Sequence, residues 1–368
     1  MKELDEKKWE KFDVFGKKGF LRIATTDSSI DSIRLIDGNE KRVPYVTRSE
    51  AVNGIAQFVS ENNYEFGSDE AGCITVGLDT QTVFYQPHKF VTGQNIQIVT
   101  GDSLNEDSAH FYVTILKKQM DAKFNWGGNG ATLSRMKRLE AMLPVSDAGI
   151  PDYEYMSEYI FQKRKTLLGK YRNHLVQRIK ELGEGGEIPS IAQKKWDSFL
   201  ISDIFSILPG KRLVSAQSTP GNRPFIGALD KNNGVARFVN DTNASLDKNV
   251  LGVNYNGNGM VIGFYHPYEC IFSDDVKRFH LKRHEDNVFV LLFMKVAILQ
   301  QKSKFGYLYK FNAERMANTK IMLPVTDDGA PDYEYMEQYA KNLMLRKYKQ
   351  YLSYLDSKEK TDTVTTDN

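Results

Sequence analysis

The chain lacks most of the residues that announce catalysis or metal binding through a short motif. It has two cysteines, Cys73 and Cys270, far apart and outside any CxxC pair. That excludes a disulfide framework or zinc knuckle, and both read as small buried residues in a reducing compartment. The six histidines form neither HExxH nor a close Cys/His cluster, which removes the usual zinc sites. No GxGxxG or P-loop pattern is written. The glycine-rich NWGGNGA (125–131) lacks the lysine and spacing of a phosphate cradle and reads as a turn or loop. An excess of one charge is also missing. Lys+Arg total 49 against 47 Asp+Glu, a net +2, so a binder that coats any polyanion is excluded while local basic patches are not. The most apolar run, Val288 to Leu299, is broken by Lys295 and too short to span a bilayer. The charged opening MKELDEKKWEKFDVFGKKGF shows no signal peptide. A cytoplasmic protein without a membrane partner is expected, ending in a disordered tail over 357–368.

What is present is a long repeat. LPVSDAGIPDYEYMSEY (143–159) returns as LPVTDDGAPDYEYMEQY (323–339), 180 positions on. At the same offset PYVTRSEAVNGIAQFV (44–59) falls on PFIGALDKNNGVARFV (224–239), FYQP (84–87) on FYHP (264–267), and Arg135-Met136 on Arg315-Met316. KKWEKF and KKWDSF match at an offset of 187. The order is kept throughout, so a whole unit is duplicated; two copies with so long a period exclude a solenoid. With 368 residues, 41% apolar and 12% aromatic, two to three domains with their own cores are expected.

Each unit begins with short strand-like segments. In copy one these are RVPYVT, GIAQFVS, GCITVG, QTVFYQ and NIQIVT; in copy two RPFIGAL, GVARFV, MVIGFYH and NVFVLLFMKVAIL, the last equally compatible with a buried helix. Each unit ends in a long helix, opened by Pro151-Asp152 and Pro331-Asp332: proline suits a first turn and a carboxylate faces its unsatisfied amides. At ~1.5 Å per residue the first helix is about 45 Å long. Met156, Ile160, Leu167, Tyr171, Leu175 and Leu182 form a stripe on it, and Met336, Tyr339, Leu343, Tyr351 and Leu355 form one on the second. Stripes on helices this long need a partner, and each helix suits the other. The fold expected is α+β, with two pseudo-symmetric β-rich domains separated by an antiparallel pair of long helices. The spacing between heads would then be tens of ångströms, comparable to the ~34–36 Å of one DNA turn.

No catalytic residue and no metal site are expected. Asp152 with Glu154, and Asp332 with Glu334, resemble the carboxylates of a metal-dependent nuclease, but helix capping explains them more simply. Between Phe161 and Lys180 lie Lys163, Arg164, Lys165, Lys170, Arg172, Arg178 and Lys180 with no acidic residue, either a solvated face or an attraction to DNA or an acidic partner. In the heads, Arg48, Asn53 and Gln57 surround VNGIAQF, and Lys231, Asn232, Asn233 and Arg237 surround NNGVARF. Asn and Gln suit adenine, and Arg and Lys suit guanine; the Asn-Gly itself reads as a hairpin turn. Polar residues differ where the surrounding words agree, as in Gln57 against Arg237 and Arg48 against Ala228.

The W…F…I·DIF·I··GKR opening (196–212), the FYQP/FYHP words and the LP…G·PD·EYM·EY transitions resemble the specificity subunits of bacterial restriction–modification systems. They are most like the compact kind that partners fused modification–restriction subunits, as in BcgI-like enzymes. KKWEKFDVFGKKGFLRI departs from the pattern by lacking the DIF·I··GKR word. The resemblance implies target-recognition domains at 1–150 and 184–330 and spacer helices at 151–183 and 331–356. It implies recognition of a bipartite asymmetric sequence in double-stranded DNA, with Lys211 and Arg212 joining the candidate contacts. The partner would be a modification or fused modification–restriction subunit in two copies, docked near Tyr153, Tyr155, Arg172, Tyr333 and Tyr335. That partner, not this chain, would use S-adenosylmethionine and, if it cleaves, Mg2+. A two-headed protein–protein scaffold without DNA readout is the alternative, and a nuclease using the PD…E carboxylates a third.

Overall fold

Strand-forming words punctuated by Gly, Asn and Asp become short strands, and they do so in the same order twice. A computed structural model describes residues 2–124, 131–257 and 259–366, with side chains as far as 357; NWGGNG (125–130) lies outside them. Two compact units, 1–171 and 172–368, divide the chain within its first long helix.

The first unit contains β1 (Trp9–Asp13), β2 (Arg22–Thr25), β3 (Val43–Val46), β4 (Ile55–Val59), β5 (Cys73–Gly77), β6 (Val83–Gln86), β7 (Val91–Thr92) and β8 (Ile96–Thr100). Helix α1 (Glu106–Lys123), the short α2 (Leu133–Met136), β9 (Glu140–Pro144) and the first part of α3 (Tyr153–Leu182) follow. The sheets are β1-β9, β2-β8-β5-β6 and β4-β3-β7. β3 runs parallel to β7, while its pairing with β4 is antiparallel. Phe111, Tyr112, Leu116 and Met120 of α1 pack with Ile74, Val76 and Val99 in the main core, which Leu143 and Met156 extend toward α3. Burying a large apolar side chain contributes about 1.5–3 kcal/mol, so this cluster holds helix and sheet together.

The second unit carries β10 (Trp196–Leu200), α4 (Ile201–Ile204), β11 (Phe205–Pro209), β12 (Pro220–Ile226), β13 (Val235–Val239), β14 (Val250–Asn254), β15 (Gly263–His266), β16 (Ile271–Phe272) and β17 (Val276–Leu281). Then come α5 (Val288–Leu299), α6 (Ala313–Ala317), β18 (Lys320–Pro324) and α7 (Tyr333–Thr366). Its sheets, β10-β18, β11-β17-β14-β15 and β13-β12-β16, repeat the first unit's order strand for strand. The departure at KKWEKFDVFGKKGFLRI is a length change. Trp9 and Pro44 are 35 residues apart and Trp196 and Pro224 are 28 apart, yet β2 pairs with β8 as β11 pairs with β17.

One open reading is settled, one helix is added and two readings are corrected. NVFVLLFMKVAIL is a helix, started by Asn287, whose side chain accepts from the Phe289 and Val290 amides. Its counterpart α1 went unread, although Asn105 and Ser108 form a capping box before it. Pro151 and Pro331 lie before the long helices, in bridges to Val145 and Val325. The caps are Asp152 and Asp332, whose Oδ1 atoms accept from the amides of Tyr155 at 3.1 Å and Tyr335 at 2.9 Å. Finally, α7 continues through most of the expected tail to Thr366; Ser-Lys-Glu-Lys is a sequence that sustains a helix.

Within the second unit the end of α3 runs antiparallel to α7. Arg172 pairs with Asp356 at 2.6 Å, and farther along the chain the Gly186 amide donates to Asn342 Oδ1 at 3.2 Å. Leu175, Leu345 and Leu355 are buried. The stripes are only partly covered: Leu167 is 71% exposed, and Tyr171, Leu343 and Tyr351 are also exposed.

Candidate nucleic-acid interface

Between β3 and β4 the chain must reverse, and it does so through consecutive left-handed residues. Val52, Asn53 and Gly54 have φ of 49°, 56° and 80°, the Gly54 amide donates to Ala51 O at 3.0 Å, and the Thr47 amide donates to Gly54 O at 2.8 Å. Asn and Gly tolerate this region, whereas a β-branched residue there is strained. Gly54 is also needed for space, since a Cβ would meet Phe84, Val46 and the Thr47 carbonyl at 3.3 Å. The second unit repeats the turn with Asn232, Asn233 and Gly234 at 53°, 52° and 74°.

The FYQP and FYHP words form the floor of these turns. Asn53 Nδ2 donates to Tyr85 O at 2.8 Å, and Gln86 Nε2 returns a bond to Asn53 O at 3.1 Å while donating to Thr75 Oγ1 at 3.0 Å. In the second unit Asn233 Nδ2 donates to the Tyr268 hydroxyl at 3.0 Å. His266 occupies the place of Gln86; burial, with Lys295 nearby, lowers its pKa to about 4, so the ring is neutral at pH 7. Gln86, His266 and Tyr268 were not singled out from the sequence. Gln86 and His266 stand inside the repeated FYQP and FYHP words, which mark their positions without stating what they pair with, and Tyr268 stands outside them.

The candidate contacts sort into three groups. Asn53 and Asn233 spend their amides bracing the turns. Arg48 is paired with Asp79, and Arg237 lies over the Phe225 ring at 4.1 Å while its Nη2 donates to Leu213 O at 2.9 Å. Gln57, Lys211, Arg212, Lys231 and Asn232 are exposed. The Arg237 bond brings the segment carrying Lys211 and Arg212 against β13. Two exposed aromatics on equivalent strand positions were also missed, Phe58 at 49% and Phe238 at 55%.

The tyrosines of the YEYM words face inward. Tyr155 and Tyr335 are buried, their hydroxyls donating to Lys2 O at 3.0 Å and Pro189 O at 3.1 Å. Tyr153 packs against the first core, and Tyr333 stacks on His284 with centroids 4.6 Å apart. The rings and hydroxyls of Tyr155 and Tyr335 are thus engaged within their own heads, unlike the exposed docking side chains expected there. The basic stretch of α3 is likewise partly committed. Arg164 bonds Asp107 at 2.5 Å and Glu106 at 2.7 Å, Arg172 bonds Asp356, and Arg178 bonds Glu181.

The first pair of PD…E carboxylates, Asp152 and Glu154, borders an open cleft of about 860 Å³ also lined by Asp107 and Glu158. Asp152 is engaged there: partial burial opposes its charge, but Lys7 at 2.7 Å and the Tyr155 amide hold its carboxyl below the ordinary carboxylate range. Asp332 is paired with Lys194 at 2.5 Å. Among the described residues no three His, Cys, Asp or Glu side chains are grouped to hold a metal. No helix among them is long and apolar enough to cross a membrane.

Comparison with known proteins matches the family described as type I restriction modification DNA specificity domain twice, over residues 9–168 and 193–351. The type II restriction enzyme BgcI specificity subunit S.BcgI of Heyndrickxia coagulans is 42% identical over 312 residues, covering 83% of this chain and 89% of the relative. Among solved structures, the type I restriction-modification S subunit from M. genitalium aligns with 98% of this chain and 96% of its own, at 15% identity and a TM-score of 0.48. The HsdS subunit from Thermoanaerobacter tengcongensis aligns with 94% and 93%, at 11% identity and a TM-score of 0.31.

Proposed function

The chain belongs to the type I restriction modification DNA specificity family, and from that membership we propose that it reads a bipartite, asymmetric DNA target, one half-site per head. It acts as the non-catalytic specificity subunit of a restriction–modification complex and directs its partner to the site. The partner is an adenine methyltransferase or a fused modification–restriction subunit, two copies per chain, using S-adenosylmethionine and, where it cleaves, Mg2+. Recognition is assigned to 1–150 and 184–330, and spacing and docking to 151–183 and 331–356. With Tyr155 and Tyr335 engaged in the hinges, docking falls to exposed apolar positions on the helices such as Leu167, Val176 and Tyr354.

The observation that carries this reading is one frame with two different tips. The same left-handed turn stands on the same sheet order in each head, yet Val52 answers Asn232 and Gln57 answers Arg237. A shared frame keeps register on DNA while the changed side chains alter what is read. The purified chain, given S-adenosylmethionine and Mg2+, should neither methylate nor cut DNA; with its modification subunit it should methylate one split motif and footprint both halves. Activity of the isolated chain, or assembly of the complex with no DNA protection, would overturn the proposal, the latter in favour of a protein scaffold.

A further inference from the structure

The second head exposes a feature that the turns and helices do not account for. Between α5 and α6, Gly306 and Tyr309 exchange backbone bonds of 3.2 and 3.0 Å, closing a tight hairpin whose tip is Tyr307-Leu308. Tyr307 is 84% and Leu308 96% exposed. Adjacent large side chains exposed at a tip and flanked by basic residues are the arrangement of an interaction site.

The tip is braced from below. Tyr309 stacks on Phe305 at 5.7 Å and 9° between planes, Phe305 packs on Phe311 at 4.6 Å, and the Arg315 guanidinium lies 3.8 Å above the Tyr309 ring. Arg315 Nη1 also donates to Lys310 O at 2.8 Å. Lys310 Nζ lies over the Tyr307 ring at 5.5 Å, and Lys304 and Lys302 precede the hairpin in sequence, Lys304 donating to Gln301 Oε1 at 2.6 Å. The hairpin is also joined to the turn through the intervening loop: the Phe311 amide meets Met260 Sδ at 3.3 Å, and beside Met260 Asn254 Nδ2 donates to Gly259 O at 3.1 Å and to Leu229 O at 2.7 Å, just before Lys231.

We propose that this hairpin is a second DNA contact of the second head, in which Leu308 and Tyr307 enter between stacked bases of duplex DNA while the lysines hold the flanking phosphates. Apolar wedges on basic loops act this way, unstacking a step and bending the duplex without reading a base edge. Charge complementarity and continuity with the turn favour DNA over a protein occupant. The inference rests on the DNA-reading function proposed above.

The test uses the full chain assembled with its modification subunit, and as probes a random-sequence duplex and a target duplex containing 2-aminopurine. Wild type should raise the 2-aminopurine fluorescence on binding. Leu308→Ala and Tyr307→Ala should abolish that rise and weaken both duplexes about tenfold. Lys304→Ala and Lys310→Ala should each lower the salt slope of binding by about 1. The tip side chains are exposed, so the variants keep the fold, which circular dichroism checks. Unchanged DNA affinity and fluorescence in the tip variants, or a loss confined to complex assembly, overturns the hairpin assignment alone. Failure of the wild-type complex to bind duplex overturns the DNA-reading function as well.

Discussion

His266 and His280, both in the second unit, are shifted in opposite directions. Burial holds His266 down to about 4, while hydrogen bonds donated to Asp286 at 2.6 Å and Asp247 at 2.9 Å hold His280 up to about 9 despite partial burial. A depressed histidine contributes stability that is complete above its unfolded value of about 6.5 and lost as pH falls through about 4. A raised one contributes stability that is complete below about 6.5 and lost as pH rises through about 9. The second unit should therefore be most stable near neutrality. Thermal unfolding across pH should lose its acid limb in His266→Gln, the residue found at Gln86, and its alkaline limb in His280→Thr, the residue found at Thr100. If both limbs persist unchanged, these contacts do not set the pH response. Val52 offers a third residue-scale test: it is 74% exposed, so Val52→Asn removes left-handed strain without losing packing. A gain of about 1 kcal/mol in urea unfolding is expected; a loss would mean the strained geometry is not the native one.

At the scale of elements, the hinges decide what the repeated words are for. Lys7 and Lys194 bond the capping Asp152 and Asp332, and Tyr155 and Tyr335, near the start of each helix, bond back to Lys2 and Pro189 at the beginning of the same head. Tyr335→Phe should cost about 1 kcal/mol for the lost bond, and Tyr335→Ala about 3–5 kcal/mol for the lost ring, with assembly at low temperature retained in both. Loss of assembly with unchanged stability would return the tyrosine to a docking role. The long helices, their start words and strands β3, β4, β5, β6, β8, β12, β13 and β15 were legible because each is encoded within a few neighbouring residues. Helix α1 was missed because its polar outer positions dilute the 3.6-residue period, and α5 was ambiguous because it is apolar on every side. The floor of the turns was not legible. Gln86 lies 33 positions from Asn53, and pairing across such a distance follows from sheet order, which no local pattern states.

Across the whole molecule, the duplication makes recognition modular. The contacts of Arg48, Asn53, Asn233 and Arg237 described above each stay within one unit. Additivity is expected for sites that share no partner. Gln57→Ala should relax base preference in the first head's half-site alone, by ~1–3 kcal/mol if its amide makes a paired base contact. Lys231→Ala should act on the second half-site alone. Arg237 is different from the free guanidinium that its sequence position suggested. Its stack on Phe225 and bond to Leu213 mean that Arg237→Ala also releases the segment bearing Lys211 and Arg212, so binding to all sequences should weaken together with the second half-site's preference. A duplex series varied one half-site at a time, read at two salt concentrations with the assembled complex, separates these outcomes. Equal loss on every duplex identifies a phosphate contact, and a Gln57 variant that changes the second half-site would contradict independent heads.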